Sequence, residues 1–344
     1  KETGTILYEK EAKRQMEPAS VTKVMTLLLI MEALDSGRIS REDVVTVSAR
    51  ASGMGGSQVY LKEGEQMTVG ELIKCITVVS GNDATVAMAE YLAGSESAFV
   101  QQMNQRAQEL GMGDTNFVNC TGLPASGHVT TAYDIALMSR ELILNHPSIR
   151  EYTTIWMDSI RDGAFGLTNT NKLIKHYQGC NGIKTGFTSD AGYCLSASAT
   201  RGQTHLIAVA LGCETAKIRN AEICKMLDYG FANYETHVAA EKGQKISTAE
   251  IQRGTPQKIT AVTADRITAL VKKGETDSVK NKVLMDEKVA LPLKAGDKVG
   301  TLQVLKDGKV VGECDLVSDC DVEKASFTEL IKRMLTYKGK EYGK

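Results

Sequence analysis

No apolar run in the 344 residues reaches the roughly 18 that a membrane-crossing helix needs. An excess of charge is also missing. The 41 basic and 42 acidic side chains leave a formal charge of −1, which argues against a broad cationic surface for nucleic acid. The eight cysteines include no CxxC and no cysteine–histidine spacing of a zinc site. Cys75 in "LIKCITVV", Cys213 in "AVALGC" and Cys224 in "AEICKML" read as small buried hydrophobes, so free thiols are expected. Cys314 and Cys320 are the pair to check first for a disulfide. The five histidines form no HExxH or other ligand pattern, which leaves surface or capping roles and implies no metal centre. There is no internal repeat and no low-complexity stretch. The chain opens at Lys1 without an initiator methionine or signal peptide, as an export-processed or trimmed chain would.

What is present suggests about two domains, with enough chain for a sizeable core. "GTILYE" (4–9) predicts a strand. "SVTKVMTLLLIMEALD" (20–35) has the length and apolar content of a buried helix, with Gly37 just past its end. Residues 68–94 predict two helices broken around Ser80-Gly81-Asn82, and 96–112 and 130–146 predict two more. From about 180 the pattern changes to short β-branched or alternating runs, "NGIKTG", "GYCLSASAT" and "THLIAVALG", which read as strands. Residues 214–235 return to helix. Beyond 237 the alternation of apolar and polar residues, with a hairpin turn at "KDGK" (306–309), predicts a small all-β domain. In the last segment Phe327, Leu330, Ile331, Met334 and Leu335 repeat at helical spacing among basic residues. That pattern fits a helix packed on its own domain and an interfacial helix equally well.

The chemistry is carried by three short motifs. "PASVTK" holds the one S-x-x-K of the sequence, Ser20 to Lys23. Ser80-Gly81-Asn82 is the one S-x-N, and Lys184-Thr185-Gly186 the one K-T-G. They occur in that order, each at a break between elements, and such a trio marks penicillin-binding proteins and class A β-lactamases. On a helix, positions three apart share a face, so Lys23 Nζ can reach Ser20 Oγ. A serine hydroxyl attacks poorly until a base takes its proton, and an ammonium cannot do that. Lys23 therefore needs a depressed pKa, which burial and a second cation, Lys184, would supply. Ser20 N–H at the helix start and the N–H of Phe187, the residue after K-T-G, are the expected oxyanion donors. Gly186 lets a substrate backbone lie close along the strand.

Beyond the trio, "TGTILYEKEAKRQMEPASVTKVMT", "GSQVYLKEGEQMTVGELIKCITVVSGNDATVAMAEYLAG", "NQRAQELGMGDTNFVNCTGL" and "GCNGIKTGFTSDAGYCLSASA" resemble the D-alanyl-D-alanine carboxypeptidases, the low-molecular-weight serine penicillin-binding proteins. The resemblance spans nearly the whole chain. It implies an α+β transpeptidase-like domain over residues 1–237, with helices around an antiparallel sheet that includes the N-terminal strand. It also implies a β-sandwich over 238–322 and an amphipathic tail, 323–344, as a possible membrane anchor. By the same resemblance Ser20 is the nucleophile, Lys23 the acylation base and Ser80 the proton relay to the leaving amine. Asn82 binds the substrate amide, Lys184 and Thr185 hold its terminal region, and Arg219 in "AKIRNAE" recognises the terminal carboxylate, a task suited to a guanidinium fork. The implied substrate is a peptidoglycan stem peptide, met outside the cytoplasm, with β-lactams as covalent inhibitors and no cofactor. Phe187 stands where some relatives of that family have histidine, and Cys120 and Thr121 stand where many carry other residues, often histidine.

Two rival functions remain to be weighed. Glu141-Leu142-Ile143-Leu144-Asn145 fits the E-x-x-L-N pattern of β-lactamases, but it lies inside a predicted amphipathic helix, not at a loop. A non-hydrolytic penicillin binder would carry the same trio, and only its slow deacylation would set it apart.

Overall fold

The computed structural model describes residues 1–333. The chain forms two compact units, Lys1–Ala232 and a second that begins at Asn233.

The first unit is built on α1 (Lys23–Asp35), α2 (Val69–Val78), α3 (Asn82–Ala93), α4 (Glu96–Glu109), α5 (Ala132–Asn145) and α6 (Ala216–Asn233). α1 is buried on every side, from Lys23 through Met31, as an apolar helix at the centre of a domain must be. Its neighbours start where polar caps meet free N–H groups. Thr68 and Glu71 form a reciprocal capping box on α2, and Ser95 and Thr131 accept from Ala98 N and Asp134 N. β1 (Cys180–Thr188), β2 (Gly192–Arg201) and β3 (Thr204–Cys213) form an antiparallel sheet in that order, so β1, the K-T-G strand, is an edge. One sheet face carries Leu195, Ala197 and Ala199 against Ile223, Leu227 and Phe231 of α6. The other turns to the helices, where Ser196 Oγ meets Ser139 Oγ of α5 at 2.7 Å.

The predicted N-terminal strand does not form. Residues 4–9 carry no ladder, and Ile6 and Tyr8 are 54% and 58% exposed. Just ahead of this run the Arg140 guanidinium donates to the Lys1 and Glu2 carbonyls, and Gly4 turns the chain at φ +66°.

The second unit contains β4 (Tyr234–Ala240), β5 (Lys245–Glu250), β6 (Lys258–Thr263), β7 (Ile267–Lys272), β8 (Val279–Met285), β9 (Lys298–Lys306) and β10 (Lys309–Ser318). Five strands pair in the order β8-β9-β10-β6-β5, and β7 pairs with β4. Ala261, Leu302, Val304 and Leu316 of the larger sheet share a core with Ala240, Ile267, Ala269 and Val271 of the smaller. The β9–β10 hairpin turns at Asp307 and Gly308, both at positive φ (50° and 78°), which suits the strand twist.

All eight cysteines are free thiols, Cys314 and Cys320 included. Cys75 is buried as expected, whereas Cys213 and Cys224 are only half-buried. Residues 327–333 are helical, with Phe327 77% and Ile331 38% exposed, while Arg333 Nη2 donates to Thr255 Oγ1. Met334 and Leu335 of the expected apolar stripe lie outside the described residues. No helix among the described residues is long and apolar enough to cross a membrane.

Candidate active site

Ser20 lies in a 3-10 turn, Ala19–Thr22, one step before α1 begins at Lys23, so it is not the N-cap of the α-helix itself. Ala19 enters this turn at φ +47°, a costly conformation for a residue with a Cβ. β1 presses directly on the turn. A Cβ on Gly186 would stand 2.9 Å from the Pro18 carbonyl oxygen and 3.0 Å from the backbone nitrogens of Ser20 and Val21. Glycine at 186 is thus what lets the edge strand approach the Ser20 N–H.

Lys23 Nζ lies 3.0 Å from Ser20 Oγ, 2.6 Å from Asn82 Oδ1 and 2.7 Å from the Thr121 carbonyl. Asn82 is held in that orientation because its Nδ2 donates to Gly55 O at 2.7 Å, and its N–H donates to Ser57 O. The next residue, Asp83, is fully buried and accepts from Val59 N and Leu61 N, fixing the far side of the same loop. As an ammonium, Lys23 donates to all three partners. Once neutral, it keeps two N–H groups, and Asn82 Oδ1 and Thr121 O are both acceptors for them. The remaining position is the lone pair, aimed at the Ser20 hydroxyl.

Burial drives Lys23 from 10.5 down to about 7, offset in part by nearby Cys120 and Asp83. The expected help from Lys184 runs the other way. Lys184, also fully buried, is held well below its ordinary value first by burial and then by Lys23 and Arg219. Its Nζ donates to Thr185 O at 3.0 Å, and Thr185 Oγ1 shares a 2.6 Å hydrogen bond with Thr170 Oγ1. Ser80 sits in the break between α2 and α3 at φ +66°, and its buried Oγ has no hydrogen-bond partner. A buried hydroxyl without a protein partner is costly. Arg219, near the start of α6, is 5% exposed. Asn220 Oδ1 accepts from its Nε and Nη2 at 3.1 and 2.9 Å, and burial lowers its pKa. Phe187 is 55% exposed with its ring 4.3 Å from that of Tyr193.

A family profile described as D-alanyl-D-alanine carboxypeptidase matches residues 1–215, and one for the C-terminal domain of penicillin-binding protein 5 matches residues 234–324. The D-alanyl-D-alanine carboxypeptidase DacF of Bacillus subtilis is 45% identical over 339 residues, 97% of this chain and 87% of the relative. This chain belongs to the D-alanyl-D-alanine carboxypeptidase family. Penicillin-binding protein 5 of Haemophilus influenzae superposes with a TM-score of 0.77 at 32% identity, over 93% of this chain and 94% of that one. Penicillin-binding protein D2 of Listeria monocytogenes, solved in an ampicillin-bound form, superposes with a TM-score of 0.61 at 34% identity, over 67% of this chain and 93% of its own. The chain is a serine-type carboxypeptidase, a hydrolase of the cell wall and a penicillin-binding protein by family.

Within this carboxypeptidase, two groups at the site were not foreseen from sequence. Thr121 contributes its carbonyl, which any residue type could supply. Thr170 is brought to Thr185 by a chain path that no local pattern marks. Two histidines depart from the expected surface or capping roles, His128 and His205, whereas His146 caps the C-terminal end of α5. His128, His146 and His205 are buried at 2%, 9% and 4% exposure. His146, Glu32 and Glu141 have ligand atoms within 4.8 Å of one another, but Arg106 already pairs with both glutamates at 2.7 Å. Glu141 is therefore engaged with Arg106 inside α5, away from the role a β-lactamase would require.

Proposed function

We propose that Ser20, Lys23 and Ser80 carry out the carboxypeptidase reaction on peptidoglycan stem peptides. Neutral Lys23 takes the Ser20 proton as Oγ attacks the carbonyl carbon of the penultimate D-alanine. The Ser20 and Phe187 N–H groups stabilise the oxyanion in the space that Gly186 leaves open. As the C–N bond breaks, the proton on Lys23 passes through Ser80 Oγ to the leaving nitrogen, and D-alanine departs. Water then cleaves the Ser20 ester. Asn82 aligns the substrate amide. Thr185, Lys184 and Arg219 receive the terminal carboxylate, whose negative charge would raise the proton affinity of Lys184 again. A β-lactam carbonyl would acylate the same serine. The observation that carries this reading is the three-point fixation of Lys23 Nζ beside Ser20 Oγ.

We assign the activity to the outside of the cytoplasmic membrane, where the substrate is. The exposed Phe327 and Ile331 support a further reading of the tail as a membrane-surface anchor.

Incubation with benzylpenicillin, followed by intact mass and peptide mapping, tests the site. A lasting adduct on Ser20 is expected, with D-alanine released from a stem pentapeptide, and both are lost in Ser20→Ala. Rapid penicillin hydrolysis without D-alanine release would instead indicate a lactamase, and an adduct without D-alanine release would indicate a non-hydrolytic binder.

A further inference from the structure

His128 touches both segments that converge on Lys23. Its Nδ1 accepts from Val118 N at 3.0 Å and Asn119 N at 3.4 Å. Two donors at Nδ1 require a lone pair there, so the proton sits on Nε2 and is donated to Thr22 Oγ1, 2.8 Å away. Thr22 belongs to the turn that bears Ser20. Val118 and Asn119 open the turn that ends at Gly122. That turn is closed by the Asn119 side chain, whose Oδ1 accepts from Thr121 N and Gly122 N. It is also anchored to α1 by Thr26 Oγ1 donating to Cys120 O at 2.8 Å. Its product is the Thr121 carbonyl on Lys23 Nζ.

The fit between the two segments is tight. Gly122 stands at φ +83°, where a Cβ would fall 1.8 Å from the Ala19 carbonyl oxygen and 2.9 Å from Thr22 Oγ1. Side chains cannot fill this seam, so its register rests on hydrogen bonds across it. Of these, the His128 ring supplies a donor to one segment and an acceptor to the other. The ring is buried, and its edge packs on Phe117 with centroids 5.8 Å apart. Burial lowers its pKa to about 4, so it is uncharged near neutral pH.

We propose that His128 is a positioning residue for the acylation base: through Thr22 on one side and the 118–122 turn on the other, it sets the hydrogen bond from Lys23 Nζ to the Thr121 carbonyl and thereby the direction of the Lys23 lone pair. The inference rests on the reading of Lys23 as the base. The charged and titratable groups that face Lys23 are Asp83 from α3, the Cys120 thiol from the turn and Lys184 from β1. None of them is hydrogen-bonded to His128, so a change at 128 reaches Lys23 through the Thr121 carbonyl.

The test is the rate of acylation by benzylpenicillin against pH for the wild type, His128→Phe and His128→Gln. Phenylalanine keeps a planar ring and loses all three hydrogen bonds. Glutamine offers a carbonyl for the two backbone N–H groups and an amide N–H for Thr22. An ammonium that loses the Thr121 acceptor is less favoured, so the acid limb set by Lys23 moves to lower pH. For His128→Phe we expect a plateau at least tenfold below wild type and an acid limb shifted down by about half a pH unit or more. His128→Gln keeps the wild-type limb and most of the rate. An unmoved limb in His128→Phe, with a rate that falls only as the folded fraction falls, overturns the proposal. A glutamine variant that behaves like phenylalanine overturns it too. Should His128→Phe not fold, Thr22→Val removes the acceptor at nearly constant volume, with the same limb shift expected and an unmoved limb decisive against. Lys23→Met separates the two readings. If it still acylates, Lys23 is not the base and the whole scheme falls, whereas its loss alongside an unmoved limb in His128→Phe removes only the role of His128.

Discussion

Replacing Lys23 with methionine should change how the stability of the catalytic unit depends on pH, in a way that isolates one buried amine. In the unfolded chain Lys23 keeps its proton to about pH 10.5, and in the native protein only to about pH 7. Between those values unfolding takes up a proton, so stability rises with pH by about 1.4 kcal/mol per unit. Below pH 7 the native state must hold a buried ammonium, and the full cost of about 5 kcal/mol is present. Above about pH 10.5 the cost is gone. Lys23→Met deletes this term. It also strips Asn82 Oδ1 and Thr121 O of their donor, at about 1–3 kcal/mol each, but that loss does not depend on pH. Lys184 loses the repulsion of Lys23, yet its burial, the larger cause of its own depression, persists and largely cancels in the comparison. Urea unfolding read by Trp156, the single tryptophan, reports on the catalytic unit. The stability of the variant minus that of the wild type should shrink by about 1.4 kcal/mol for each unit between about pH 7.5 and 9.5. A difference that stays flat across that window would refute the claim that burial holds Lys23 near neutrality. The same result would remove the physical basis for its use as a base.

Arg219→Ala should lower kcat/KM by about a hundredfold, the loss of a charge-assisted contact of about 2–3 kcal/mol, for peptides with a free terminal carboxylate. It should spare peptides with an amidated terminus, so an equal loss on both, measured by D-alanine or D-alaninamide release, would deny Arg219 that role. The full chain should cosediment with anionic lipid vesicles, and Phe327→Ser with Ile331→Ser should weaken that association severalfold, whereas unchanged sedimentation of the double variant would exclude this face as the anchor.

The helices and the sheet of the catalytic unit were legible because their signals are local. An apolar run bounded by Ser20 and Gly37 gives α1, and the break at Ser80-Gly81-Asn82 separates α2 from α3. The N-terminal strand was misread for the complementary reason. "GTILYE" has the composition of a strand, but whether a run joins a sheet depends on distant contacts, and here Arg140, far along the chain, holds the residues just before it while Gly4 turns the chain away.

The site divides along the same line. Ser20 and Lys23 are three residues apart, and a helical turn alone brings them to 3.0 Å, so spacing was enough. What would let Lys23 act as the proposed base, however, is not its distance from Ser20 but its isolation from water and the two acceptors that fix its N–H groups. One of those is a backbone carbonyl, which leaves no trace in residue identity. It is delivered by a turn whose defining residues, Asn119, Gly122 and His128, act on backbone N–H groups or by leaving room, and none of them touches the reacting atoms. A motif search therefore finds the groups that would exchange the proton in the proposed reaction and misses those that hold Lys23 in place.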